Sequence, residues 1–373
     1  MSEGGRRPDL DDLIEKFEEE VRKRPTPDEL AAAERAQLSE EAAIPAAPAA
    51  EPGAASEPQV PEPVRAAAAP VILPSEIEGW WNAGERIQLQ LPGGVRRAIF
   101  ARVLGAGPWL TMVHGFPTSS WDWVPMLPAL AVDHRVLVFD LLGFGESDKP
   151  TGHDWSAFEQ ADILEALWKH FDTGETRVVA HDVGLTVALE LLARQQEGTL
   201  PVRIVDMTLL NGGVYAGFHR QRRIQGWLQR PVVGPLIARM LGEARFGTAL
   251  AEVFGPAHQP GREALHQHWL SVARRDGSRN YHRLIRYIPE RRANAPRWEN
   301  ALEKTSVPIR FVWGMADPVS GAPMVEVIRR RRPGADIVEL ANVGHYPQLE
   351  DPSSVVEAIL RADHGRSDGS DQA

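Results

Sequence analysis

The chain has 373 residues, 41 Lys and Arg against 51 Asp and Glu, a formal net charge of −10 and no cysteine. Disulfides, thiolate catalysis and Cys-ligated metals are therefore excluded. Residues 1–70 carry 16 acids and 8 bases, so the rest is nearly neutral and gives no electrostatic reason to expect nucleic-acid binding.

Residues 1–75 contain one aromatic, Phe17, and Ala43 to Pro74 is an Ala/Pro/Glu tract that cannot bury a core, so this stretch reads as a disordered tail. Within it, Leu10, Leu13, Ile14, Phe17 and Val21 recur at helical spacing, with acids early and Arg22-Lys23-Arg24 last. That spacing predicts an amphipathic helix near residues 9–24, which would either dock a protein partner or fold back on its own domain. The N-terminal residues are followed by no apolar h-region, and no 18-residue apolar run occurs. The expectation is a cytoplasmic protein without a membrane span.

From Trp80 onward, strand-like and helix-like segments alternate. Strands are predicted at Arg86–Leu91, Arg96–Leu104, Trp109–His114 and Arg135–Asp140, then a helix at Trp155–Phe171, a strand at Thr176–His181 and a helix at Gly184–Ala193. After strand Arg203–Leu210 comes a long helical and polar stretch. Strand Ile309–Gly314, helix Ala322–Arg331, strand Asp336–Leu340 and helix Pro352–Ala362 close the chain. Such alternation implies an α/β fold, a mostly parallel sheet with helices on both faces. The interval from Leu210 to Ile309 is too long for a loop and is expected to be an inserted helical cap. The expected parts are a core over residues 76–211 and 306–364, a cap over 212–305 and a disordered C-terminus over 365–373.

Asp182 stands where a strand turns sharply into a helix, in Ala180-His181-Asp182-Val183-Gly184. One reading is a helix cap. The other is a nucleophile: an aspartate, ordinarily ionised above about pH 4, needs no base to attack a saturated carbon such as that of an epoxide or a carbon–halogen bond. Two partners follow in chain order. Asp317 lies past strand Ile309–Gly314 and His345 on the loop after the last predicted strand, where open α/β sheets assemble their sites. An Asp orienting a His that activates water would complete a triad. The loop His114-Gly115-Phe116-Pro117 can turn the Phe116 N–H toward developing negative charge beside that of Val183, forming an oxyanion hole. No metal or cofactor is called for.

These motifs, together with Gly143-Phe-Gly-Glu-Ser-Asp-Lys-Pro150, resemble the epoxide hydrolase and haloalkane dehalogenase branch of the α/β-hydrolases. Within it, His114-Gly-Phe-Pro-Thr-Ser-Ser-Trp-Asp-Trp123, Leu210-Asn-Gly-Gly213 and His345-Tyr-Pro-Gln-Leu-Glu-Asp-Pro352 are similar to the mesoderm-specific transcript group and its bacterial relatives. The resemblance implies a covalent alkyl-enzyme ester on Asp182, hydrolysed with His345 as base and Asp317 orienting it. Dehalogenases of this branch place a Trp after the nucleophile and an Asn or second Trp to hold halide, whereas this chain has Val183 and Phe116. Epoxide hydrolases use two cap tyrosines, for which Tyr215, Tyr281 and Tyr287 are the candidates, with His282 in the second Tyr place of Asn280-Tyr281-His282-Arg283. On one regular helix Tyr281 and Tyr287 would diverge by about 120°, so a pair is expected to need Tyr215 or His282 unless the helix breaks. The leading expectation is an epoxide-hydrolase-like enzyme for a small apolar substrate. A dehalogenase is the alternative within the class, and a non-catalytic binding or scaffold protein the alternative outside it.

Overall fold

The computed structural model describes residues 73–218 and 223–367. The helix predicted near residues 9–24 lies outside the described residues, as do residues 368–373. Strands β1 (Glu85–Gln90), β2 (Arg96–Leu104), β3 (Trp109–Val113), β4 (Arg135–Phe139), β5 (Glu175–Ala180), β6 (Arg203–Leu210), β7 (Ile309–Gly314) and β8 (Asp336–Leu340) form one sheet in the order β1-β2-β4-β3-β5-β6-β7-β8. The ladders β1–β2 and β2–β4 are antiparallel and the remaining five are parallel.

The inner strands β3, β4, β5 and β7 are buried on both faces of the sheet, and their alternating side chains enter two separate cores. In β4, Leu137 and Phe139 join one hydrophobic cluster, and Val136 and Val138 join another. The first cluster includes helices Ala157–His170 and Val183–Gln196, and the second includes Leu127, Val355 and Ile359 from helices Leu127–Leu130 and Pro352–Ser367. The helix after β5 is buried from Val183 through Ala193, so its turn from the strand is locked by packing.

Two boundaries differ from expectation. Leu73 already packs on the second cluster, and helix Ile77–Asn82 buries Ile77 and Trp80 completely. Polar contacts fasten that helix: Trp80 Nε1 donates to Ser120 Oγ (3.2 Å), and the Ile77 N–H to Gln267 Oε1 (2.9 Å). At the other end the closing helix runs on to Ser367.

Among the described residues, the interval between β6 and β7 is built of helical segments, from Ala216–Phe218 through Ala295–Lys304. Its helices are tied to the sheet domain by part-buried and buried polar contacts. Glu290 caps helix Ala157–His170 from outside, accepting from Ser156 Oγ and the Ala157 N–H at 2.9 Å each. The helix around Tyr281 does break. Tyr281–Leu284 and Tyr287–Ala293 are separate, with Ile285 and Arg286 between them at ψ of −7° and −9°.

Candidate active site

Three strand ends deliver the site. Asp182 follows β5, Asp317 follows β7 and His345 lies on the loop after β8. Asp182 has φ 45° and ψ −106°, a strained conformation for a non-glycine residue. The turn is this tight because Gly184 sits against β3: a Cβ there would lie 2.3 Å from the Val113 carbonyl oxygen. Asp182 occupies the helix N-cap position, yet its side chain makes no capping hydrogen bond. Instead its Oδ2 accepts the Phe116 N–H at 3.0 Å, and its Oδ1 lies 3.9 Å from His345 Nε2. Val183 opens the helix, so its N–H is among those with no acceptor within the helix.

His345 Nδ1 donates to Asp317 Oδ2 at 2.8 Å. Asp317 also accepts from the Val319 N–H (2.7 Å), Ser320 Oγ (2.6 Å) and Asn211 Nδ2 (2.9 Å). Burial opposes its charge, but His345 and these donors hold it down to about 2. Burial likewise lowers His345, yet Asp317 and then Asp182 overcome this and lift it to about 9. Asp317 and Asp182 thus both favour the charged form of the His345 ring. Its backbone is held as well: the His345 N–H donates to Val253 O (2.8 Å), and its carbonyl accepts from His181 Nε2 (2.7 Å). Burial, then the His345 charge, push His181 to about 3, so it stays neutral and keeps that proton.

Asp182 and His345 border a cavity of about 120 Å³. Apolar side chains of the insertion, among them Leu228, Ile237, Leu241, Phe246 and Leu250, line it with Phe116, Val319, Gln225 and three tyrosines, Tyr281, Tyr287 and Tyr346. Burial raises all three phenols well above their ordinary value, so they are proton donors rather than anions. Tyr281 donates to Pro117 O (2.9 Å) and Tyr346 to Phe116 O (3.2 Å), whereas Tyr287 Oη accepts from Gln225 Nε2 (3.4 Å) and keeps its own proton.

The expected residues are placed unequally. Asp182, Asp317, His345, Phe116, Val183, Tyr281 and Tyr287 converge, the last two because the helix break turns both inward. Tyr215 and His282 lie outside the cavity, contrary to expectation. The Ala216 N–H bonds to Glu299, which draws the turn after β6 against helix Ala295–Lys304, and Tyr215 is buried with Arg331 4.6 Å over its ring. His282, one residue on from Tyr281, faces Gly234 on helix Val233–Met240. Sequence reasoning missed Asn211, Gln225, Arg291 and Tyr346. Asn211 bridges two strand ends, its carbonyl accepting the Asp182 N–H (2.9 Å) and its amide reaching Asp317 and Gly314. Its position just after β6 is a signal that could have found it. Arg291, buried, donates to Thr186 Oγ1 (2.9 Å) under the turn, and nothing in the sequence marks it. Among the described residues, no group of His, Asp and Glu is arranged to hold a metal, and no helix is long and apolar enough to cross a membrane.

The chain belongs to the α/β-hydrolase fold family, which matches residues 108–352. It is 38% identical over 280 residues to LipZ of Mycobacterium tuberculosis, a protein whose name assigns it provisionally to the hydrolases, covering 75% of this chain and 96% of that one. It is 37% identical to the human mesoderm-specific transcript homolog protein, covering 69% of this chain and 79% of the other. Among solved structures, the haloalkane dehalogenase DbeA from Bradyrhizobium elkani superposes with a TM-score of 0.64 at 20% identity, covering 77% of this chain and all of that one. Epoxide hydrolase CorEH superposes at 0.60 and 18%, covering 74% of this chain and 98% of the other. At these identities the likeness is one of fold, and the chemistry has to be argued from the site.

Proposed function

We propose that this hydrolase opens small apolar epoxides through a covalent ester on Asp182. The observation that carries the reading is the division between the two oxygens of Asp182: Oδ2 is held by the Phe116 N–H while Oδ1 faces His345 at the cavity. Oδ1 attacks an epoxide carbon from the side opposite the breaking C–O bond, and Tyr287 protonates the departing oxygen. Tyr287 suits this role because it accepts from Gln225 and keeps its proton. The imidazolium proton of His345 makes good the one Tyr287 gives up. His345, now neutral, takes a proton from water as that water attacks the Asp182 carbonyl carbon. The oxyanion on Oδ2 is stabilised by Phe116 and Val183 N–H groups. Collapse releases the diol, with the water oxygen left on Asp182. Epoxide chemistry is favoured over dehalogenation because the lining offers phenol donors and, among the described residues, no Trp or Asn for a halide. The insertion acts as the cap that excludes bulk water.

His345→Gln should react once with a styrene-oxide-like substrate and stall as an adduct one substrate mass heavier by intact-protein mass spectrometry. Asp182→Asn should form none. Diol formation from epoxides without halide release from haloalkanes supports the reading. Turnover in H₂¹⁸O that leaves Asp182 unlabelled refutes it.

A further inference from the structure

Glu350 takes no part in the chemistry above, yet its carboxylate is nearly buried and spent entirely on backbone N–H groups around the base. Oε2 accepts from Gly344 (2.7 Å) and from Gly255 of the insertion (2.7 Å), and Oε1 accepts from Tyr346 (3.0 Å). Gly344 and Tyr346 are the immediate neighbours of His345. The insertion segment is pressed on this loop along its length. Val253 O accepts the His345 N–H, Phe254 stacks on Tyr346 with ring centroids 5.3 Å apart and planes at 16°, and a Cβ on Gly344 would meet Gly255 N and Val253 O at 2.4 Å. Val253 also lines the cavity.

We infer that Glu350 is a positioning residue for His345, clamping the base loop and the Val253–Gly255 segment of the insertion into one unit, so that the place of the base depends on the insertion. Every partner of this carboxylate is a donor, so the group has to accept on both oxygens. Glutamine would set an NH₂ against at least one N–H, and such a mismatch in a buried site is costly. The inference rests on the two-step reading of the site, because only there do nucleophile and base act in separate steps. Loosening the base loop leaves ester formation by Asp182 intact and slows hydrolysis. Charge gives a second mark. His345 is faced by Asp317, Asp182 and Glu350, which raise it, and by neutral His181, with Asp122 behind. Removing the Glu350 charge moves the titration of His345 to lower pH.

The test measures both half-reactions of Glu350→Gln by rapid quench and intact-protein mass spectrometry, beside histidine titration by NMR. Ester formation is expected within twofold of the native rate and hydrolysis at least tenfold slower, so that ester accumulates during turnover. The acid limb of hydrolysis should shift to lower pH. Glu350→Asp, which keeps the charge on a shorter arm, should slow hydrolysis severalfold with the limb in place, and it carries the test if the Gln variant does not fold. Equal loss in both steps, tracking lost folded protein, would overturn the inference, as would hydrolysis at the native rate. If native protein and His345→Gln form no ester at all, the two-step reading fails. An unshifted His345 titration in Glu350→Gln would then overturn the clamp separately.

Discussion

Replacing Asp182 by Asn should move the titration of His345 down toward neutral pH. Asp182 Oδ1 lies 3.9 Å from His345 Nε2, and burial of both groups keeps solvent from screening the pair. At that distance two unit charges in an effective dielectric of 20 interact by about 4 kcal/mol, which caps the effect at about three pH units. Asp317 stays in place and continues to favour the charged ring, so a fall of about one to three units from about 9 is expected. Titration of ¹³C-labelled histidine by NMR, with His345→Gln assigning the resonance among the twelve histidines, reads the shift directly. The same substitution mimics the uncharged ester, so the experiment asks whether alkylation itself switches the base on. A His345 midpoint in Asp182→Asn within a few tenths of a unit of the native one would refute this coupling.

Tyr287→Phe should slow ester formation from an epoxide by about 10²-fold or more, the scale of one general acid, while leaving hydrolysis of a preformed ester unchanged. Equal slowing of both steps would count against Tyr287 as the donor. Asp317, held at about 2 against an ordinary 3.8, should contribute on the order of 2 kcal/mol of stability above pH 4, lost as pH falls toward 2. His345, raised from 6.5 to about 9, should contribute fully below pH 6.5 and lose its share as pH rises through 9. Because the two belong to one ion pair, urea unfolding of Asp317→Asn across pH should flatten both flanks together. Trp298→Ala should cost about 3–5 kcal/mol, since the ring is buried and its Nε1 donates to Glu190 at 2.9 Å. A loss below 1 kcal/mol by denaturant titration would show that the interface between helices Val183–Gln196 and Ala295–Lys304 can re-form without it.

The strands were legible because their buried runs are short, apolar and bounded by turns, and all eight strands end within one residue of both expected limits. Asp182, Asp317 and His345 were legible for another reason: each sits just past a strand, and chain order alone ranks them. What the sequence could not express is direction within irregular backbone. Tyr281 and Tyr287 converge only because Ile285 and Arg286 leave the regular helix, a break whose one sequence mark is Pro289, which has no N–H for the Ile285 carbonyl four residues earlier. Tyr215 and His282 went astray by the same ignorance, having suitable chemistry on segments whose turn faces elsewhere. Glu350 was hidden because its partners are main-chain groups, which carry no residue signature. Arg291 was hidden because it lies far along the chain from the turn it supports.

The insertion departs after β6 and returns at β7, and these two strands are hydrogen-bonded neighbours from Met207–Ile309 to Leu210–Val312. To the sheet, everything between them is a bracket opened and closed at one spot. The hydrophobic lining of the cavity is written largely inside that bracket, together with the proposed donor Tyr287, and the proposed nucleophile, base and orienting acid are written outside it. Mutation can therefore rewrite what is bound while the ladder that fixes how it reacts keeps its register. Divergence in such a lineage should accumulate first between Leu210 and Ile309, apart from Tyr287 and one further stretch. The stretch Val253–Gly255 touches the base loop, and it is the sentence inside the bracket that cannot be freely edited.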